Sequence, residues 1–511
     1  MLDAGRKGWR LRPNSCARSC LLVLTLSVGG CARPDAVPAR HTLVVAYGAD
    51  EYPLSINRAR LGRYPLNAGI CEPLVRLTQT FGVAPALASR WERHGDNTVR
   101  FVLRSGITFS NGSPVDARAV AFSLGYAART RADYSFVSDS AVRIMDDTTF
   151  EVTPTHLNRR LIDQLVHPIY SVLDRANDPA VMPVCTGPFR LAEYVAHNHL
   201  TVVRNTRYRG EPSLLDTVIF RFIQDETTRM LALRAGEVDA IFDVSRSNAK
   251  ALRETPGLRV VTAPPGAVLV MYLNINGDAP YHQLRDSILR RAVAMSIDRR
   301  TLVDNVLGGN EYASHVATVN PPGVLRAYAS RVHGVSYDVQ RATQLLNGQP
   351  RTLRLIANPN SVDRATVEFV QAQLASVGIH TVVEQLDAAA YESRLNAGAF
   401  DLDIEQPSQN DANPSFLLAI RWYSKSSTRS ARFTHASLLF DTLVERALAA
   451  DTDDDARRAA ADAMHQLVDV EVAAIPLAGI SRTYAMTDRV RGFVAHPSRL
   501  NQDWSRVWLA R

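Results

Sequence analysis

The chain has 511 residues, 46% of them hydrophobic and 21% charged, with a formal net charge of +7. That is too long for one hydrophobic core, so two or three domains are expected, and the composition is that of an ordinary soluble globular protein. Of the charge, +4 comes before residue 31, from Arg6, Lys7, Arg10, Arg12 and Arg18 against Asp3, and the +3 left over the rest is no nucleic-acid footprint.

Residues 1–30 read as a targeting segment. A basic start is followed by the apolar run 21–28 (LLVLTLSV), too short to span a bilayer, and then by Gly29 and Gly30 ahead of Cys31. Val28-Gly29-Gly30-Cys31 resembles a bacterial lipobox, in which cleavage leaves the cysteine as the lipidated first residue; an ordinary secretory signal is the alternative. The mature protein is expected to be exported and tethered to a membrane through Cys31, with 31–40 as a polar, Pro-containing linker. Cys16 and Cys20 then leave with the signal, and only Cys71 and Cys185 remain in an oxidising compartment.

Residues 42–47 (TLVVAY) are an apolar run of strand length, and the chain is loop-like up to Ile70, broken by Pro53, Gly62 and Pro65. The stretch 98–124 (TVRFVLRSGITFSNGSPVDARAVAFSL) predicts a strand, a turn at Asn111-Gly112, and a helix with Asp116 as N-cap and Val120, Ala121 and Leu124 on one face. A strand is expected at 148–152, then a helical stretch to Val172. Further on, 227–235 predicts a helix closed by Gly236, with a strand at 238–242, which is the α/β rhythm. Residues 285–307 read as a long amphipathic helix or helix pair with Ile288, Ala292, Met295 and Ile297 inward, ended by Gly308-Gly309. Strand-helix-strand patterns at 352–386 and helix-strand at 391–405 follow, then two acid-rich helices at 435–450 and 453–472.

Several blocks resemble, in order, those of the peptide/nickel class of bacterial extracytoplasmic solute-binding proteins, family 5, which serve ABC importers. They are Cys71-Glu72-Pro73-Leu74 with Cys71 where a tyrosine is usual, the 98–124 stretch, Thr186-Gly187-Pro188-Phe189, the run from Arg204 to Gly210, and 290–299 (RRAVAMSIDR). The resemblance implies an α/β class II periplasmic-binding-protein fold, two lobes with a hinge plus an inserted third domain. Residues 41–70, 186–270 and 478–511 are assigned to lobe I, 71–185 to the inserted domain and 271–477 to lobe II. Cys71 and Cys185 would bracket the insertion, either as a disulfide or as two separate buried thiols.

No G-x-S-x-G, HExxH, CxxC, Walker A or G-x-G-x-x-G pattern is present, so an enzyme is not expected. His197 and His199 would share one face of a strand, but with no third ligand nearby they read as exposed positions, and neither metal nor cofactor is expected.

Function then falls to a cleft. In the family's peptide binders an aspartate just beyond a tryptophan pairs with the ligand's α-amino group. Aligning on Pro414 puts Pro407 at the tryptophan and Asn410 at the aspartate, with Asp411 beside it; both could instead shape a turn. Arg421 is a candidate for a ligand carboxylate, with Trp422 and Tyr423 as stacking area. By the resemblance, Arg129 or Arg131 from the inserted domain and Arg63 and Tyr64 from the first lobe complete the site. The expected ligand is a peptide or small zwitterion with free carboxylates, and a nickel chelate or a non-transport sensor role is the alternative. The expected partners are ABC permease subunits and the membrane, with no nucleic acid, and the protein is expected to be a monomer.

Overall fold

The computed structural model describes residues 41–48, 69–130, 137–138, 140–177, 183–359, 361–426, 434 and 437–510. The expectations placed on Cys31, Arg63, Tyr64 and Arg131 lie outside these residues, as do those on the signal segment and linker.

Two mixed sheets form the body. In the first, Thr42–Tyr47 runs parallel to Thr217–Phe222 on one side and to Ala240–Ile241 on the other. His199–Arg204 and Phe189–Val195 extend it antiparallel beyond Thr217–Phe222, and Thr483–Thr487 and Leu258–Thr262 do so beyond Ala240–Ile241. In the second, the wholly buried strand Ala267–Leu273 lies between Ala474–Ile480 and Leu402–Glu405, and Arg351–Ala357 and Ile379–Val383 continue parallel to the latter. A strand that is apolar on both faces, VLVMYL after Ala267, belongs in such a sandwiched position.

The chain passes between the sheets at two adjacent places, from Leu258–Thr262 to Ala267–Leu273 and from Ala474–Ile480 to Thr483–Thr487. The two crossings are bonded to one another, Ala263 N–H to Arg482 O (2.8 Å) and Gly266 N–H to Ile480 O (3.2 Å). Gly266 is required here by space: a Cβ would sit 1.8 Å from the Pro497 carbonyl oxygen. Paired crossings of this kind are where two lobes bend about one another.

A third, antiparallel sheet of Ala88–Arg93, Val99–Leu103, Thr149–Val152 and Val142–Ile144 has its own core, in which Phe101 and Phe150 stack 5.6 Å apart under Val120 and Leu124. The turn at Asn111-Gly112 forms as the sequence implies, with Gly112 at φ +95°, and Asp116 Oδ1 accepts from Ala119 N–H (2.7 Å) to start helix Ala117–Thr130. At the base of this domain Cys71 and Cys185, both buried, are joined in a disulfide with their Cα atoms 4.8 Å apart.

Three local expectations are corrected. The 285–307 segment is broken, into Ser287–Ser296, Arg299–Thr301 and a π turn Leu302–Val306, because Ile297 is extended and Asp298 caps the next turn through Thr301 N–H and Oγ1. Ile288 faces out, and Leu289 and Val293 take the inward face. Between 153 and 172 only Leu161–Gln164 and the 3₁₀ turn Pro168–Tyr170 are helical; Pro168 has no N–H with which to continue a helix. His197 is not on a strand face with His199: it sits at φ +60° in the turn between two strands, while His199 Nε2 is 3.1 Å from Glu193 Oε2. Among the described residues no group of three metal-ligating side chains is assembled, and no helix is long and apolar enough to cross a membrane.

Candidate functional site

In α/β sheets the parallel strands point their carboxyl ends at the place where ligands bind, because successive loops leave a crevice there. Those ends are Gly48, Ile223 and Phe242 in the first sheet, and Asn358, Glu384 and Gln406 in the second. The two edges face each other. Arg246, opening helix Arg246–Arg253 just beyond the first edge, reaches Asp363 at 2.6 Å, and Asp363 caps helix Arg364–Ala375 just beyond the second. The other oxygen of Asp363 accepts from Thr366 N–H (2.8 Å).

The loop after Leu402–Glu405 lies against the crossings. Val268 N–H donates to Pro407 O (3.4 Å), and Gln409 N–H donates to Gly266 O (3.0 Å). Asn410 is half-buried, and its Oδ1 accepts from Ser498 Oγ (3.0 Å), a first-lobe residue. Asp411 is fully buried; its Oδ1 accepts from Asn413 N–H (2.8 Å) and Gln409 Nε2 (3.2 Å), which is the turn-shaping arrangement, while its Oδ2 has no hydrogen-bond partner among the described residues. Burial holds the Asp411 carboxyl well above the usual carboxylate range, and the nearby Asp163 adds to the effect.

The three consecutive candidates beyond it diverge, because helix Phe416–Arg421 ends among them. Arg421 Nη1 and Nη2 each lie 3.1 Å from an oxygen of Glu405, on the strand edge. Trp422 is fully buried and stacks on Tyr272 at 4.9 Å and 10°, so the structure places it in the core of the second lobe. Tyr423 turns outward and donates to Glu445 (2.6 Å), with Lys425 on the same carboxylate. Arg129 is exposed at the end of helix Ala117–Thr130.

Sequence reasoning missed the polar groups nearest the hinge. Asp243, at φ +52°, sits immediately past the carboxyl edge of the first sheet. Its two oxygens accept from Arg482 Nη1 and Arg499 Nη2, both at 3.1 Å. Arg482 also donates to Ser408 Oγ (3.1 Å) in the second-lobe loop, and Asn410 Nδ2 donates to Ser408 O (3.4 Å), so Asp243, Arg482, Arg499, Ser408, Ser498 and Asn410 form one network across the hinge. Burial acts to raise the Asp243 carboxyl, but Arg499, Arg482 and Arg229 outweigh it and hold it below the usual range. The only signal in the sequence was that Arg482 follows Ile475-Pro476-Leu477 in a crossing segment.

The sequence matches the family described as "Bacterial extracellular solute-binding proteins, family 5 Middle" over residues 82–429. The chain belongs to that family. It is 24% identical over 449 residues to the nickel-binding periplasmic protein of Escherichia coli, covering 81% of this chain and 84% of that one. It is 25% identical to a probable D,D-dipeptide-binding periplasmic protein of the same organism over 431 residues, 80% and 82% of the two chains. Two solved structures share the fold: the periplasmic binding protein DppA of Helicobacter pylori with the peptide STSA, at TM-score 0.78 and 21% identity over 92% of this chain and 98% of that one, and NikA of Brucella suis with Fe(III)-EDTA, at TM-score 0.80 and 20% identity over 92% and 100%.

This family 5 solute-binding protein therefore has the class II fold with an inserted domain, and it works by capture rather than by turnover. Its inserted domain touches the loop after Leu402–Glu405 directly, Ala412 N–H donating to Asp163 O (2.9 Å). The loop that carries Asn410 and Asp411 is thus held by all three parts of the molecule, and a shift of one lobe reaches it through hydrogen bonds already made.

Proposed function

We propose that the protein is the lipid-anchored substrate-binding component of an ABC importer, held to the membrane through Cys31. It captures a peptide or small zwitterionic solute with free carboxylates at the root of the cleft, closes about the hinge and presents the solute to the permease as a monomer. The observation that carries this reading is the polar network from Asp243 through Arg482 and Ser408 to Asn410, on facing carboxyl edges beside paired hinge crossings. Its test is native mass spectrometry of the freshly purified protein, followed by calorimetry with whatever solute co-purifies. A bound peptide or amino-acid-like zwitterion supports the reading, and a mass matching a neutral sugar or a lipid counts against it.

A second reading is favoured by one feature. Asn410 carries no charge and its carbonyl already accepts from Ser498, while Asp411 lies buried beneath the loop with its proton favoured. Neither is placed to neutralise an α-ammonium, which suits an anionic chelate of nickel better than a free amino terminus. Nickel content by elemental analysis of protein grown with the metal separates the two.

A further inference from the structure

We propose that Arg482 and Arg499 form an anion subsite at the hinge end of the cleft that receives a carboxylate of the captured solute. The inference rests on the capture reading and adds to it the sign and chemistry of the group that is held.

Arg482 lies in the crossing just before Thr483–Thr487, and Arg499 opens the 3₁₀ turn Arg499–Asn501. Each donates to a different oxygen of Asp243, so one carboxylate sets two guanidinium groups side by side. The three side chains remain 18%, 23% and 30% exposed, so they reach water, unlike a sealed structural pair. A third guanidinium, that of the buried Arg229, donates to the carbonyls of Ile223, Gln224 and Asp243 and feels the charges of Asp243, Glu226 and Asp225. The facing wall from the second lobe is Ser408 and Asn410, which offer hydrogen bonds and no negative charge.

A guanidinium presents five N–H donors in a planar fork, and two forks side by side match the two oxygens of a carboxylate. A ligand carboxylate entering from the cleft meets Arg482 and Arg499 on their exposed side and shares them with Asp243, or displaces it. Arg482 already holds Ser408, so occupancy is transmitted to the loop at the hinge, which links anion capture to closure.

The test is calorimetric titration of the full exported chain with trialanine, N-acetyl-trialanine, trialanine amide and citrate. The carboxylates are expected to bind at least tenfold more tightly than the amide. Arg482→Gln and Arg499→Gln each erase most of the affinity for whichever carboxylate binds, and Arg499→Lys retains more of it than Arg499→Gln. Circular dichroism and melting temperature confirm that the variants fold; Arg499, in a short turn rather than a hinge crossing, is the variant to rely on if Arg482→Gln unfolds. Equal binding of acid and amide, or affinity unchanged in a folded Gln variant, overturns the subsite and leaves solute capture intact. Binding of none of the four, with no solute co-purifying, counts against both.

Discussion

Arg421 and Glu405 are joined at two points, each guanidinium nitrogen 3.1 Å from a carboxylate oxygen, with the two side chains only 20% and 14% exposed. An arginine proposed to meet a ligand is therefore already engaged, and its removal strands a partly buried carboxylate. Arg421→Ala is expected to lower unfolding free energy by about 2–4 kcal/mol, below the full cost of breaking a sealed pair because both groups still touch water. Urea denaturation reads it, and adding Glu405→Gln should restore a good part of the loss. No recovery in the double variant would mean that the pair is not what Arg421 contributes.

Asp411 sets a pH dependence. Its folded carboxyl is held above its unfolded value of about 3.9 by burial, so the native state binds the proton more tightly than the unfolded chain. The contribution is fully present below about pH 4 and is lost as pH rises through the raised value. Asp411→Asn keeps the Oδ1 acceptor for Asn413 N–H and removes the titration. Stability of the wild-type chain should therefore fall more steeply above pH 4 than that of the variant, as read by denaturation at a series of pH values. Parallel curves would place the Asp411 proton elsewhere.

Arg246 and Asp363 tie the two carboxyl edges across the cleft mouth at 2.6 Å. Arg246→Ala removes the tie and leaves Asp363 free to cap Thr366. The pair is partly exposed, 27% and 46%, so its worth is about 0.2–1 kcal/mol and falls with salt. The expected outcome is a ligand off-rate up by about twofold to fivefold at low ionic strength, narrowing at high salt. Stopped-flow release checks it, and an unchanged rate at low salt removes the pair from closure.

The Cys71–Cys185 disulfide closes a loop between residues 114 positions apart. By the chain-entropy argument a loop of that length stabilises by about 4–5 kcal/mol, less any strain. Cys71→Ser with Cys185→Ser should cost about 2–5 kcal/mol, seen as a lower denaturation midpoint that reductant reproduces in the wild-type chain. Reductant without effect would show that the cystine is not formed in solution.

The stretch from Thr98 to Leu124 was legible because its determinants are local. Gly112 supplies the positive φ, Asp116 reaches a backbone N–H three residues on, and Val120 and Leu124 fall on one face. The 285–307 segment was misread for a reason of the same scale: Asp298 competes for the backbone, and periodicity alone does not register a cap inside an apolar pattern.

The amino-acid order by itself determined the strand-turn-helix of the inserted domain, since hydrophobic period, turn residues and caps act over a few positions, and its blocks carried the resemblance that implied the fold class and pointed to the loop on which Asn410 and Asp411 lie. Only the tertiary structure decided which side chains meet. Trp422 went to the core and Tyr423 outward because helix Phe416–Arg421 ends just before them and the chain that leaves it sends neighbours apart. Arg482 and Arg499 lie 239 and 256 positions from Asp243, a separation at which no spacing rule operates; the second hinge crossing carries Arg482 and the chain beyond it carries Arg499 to the same carboxyl edge.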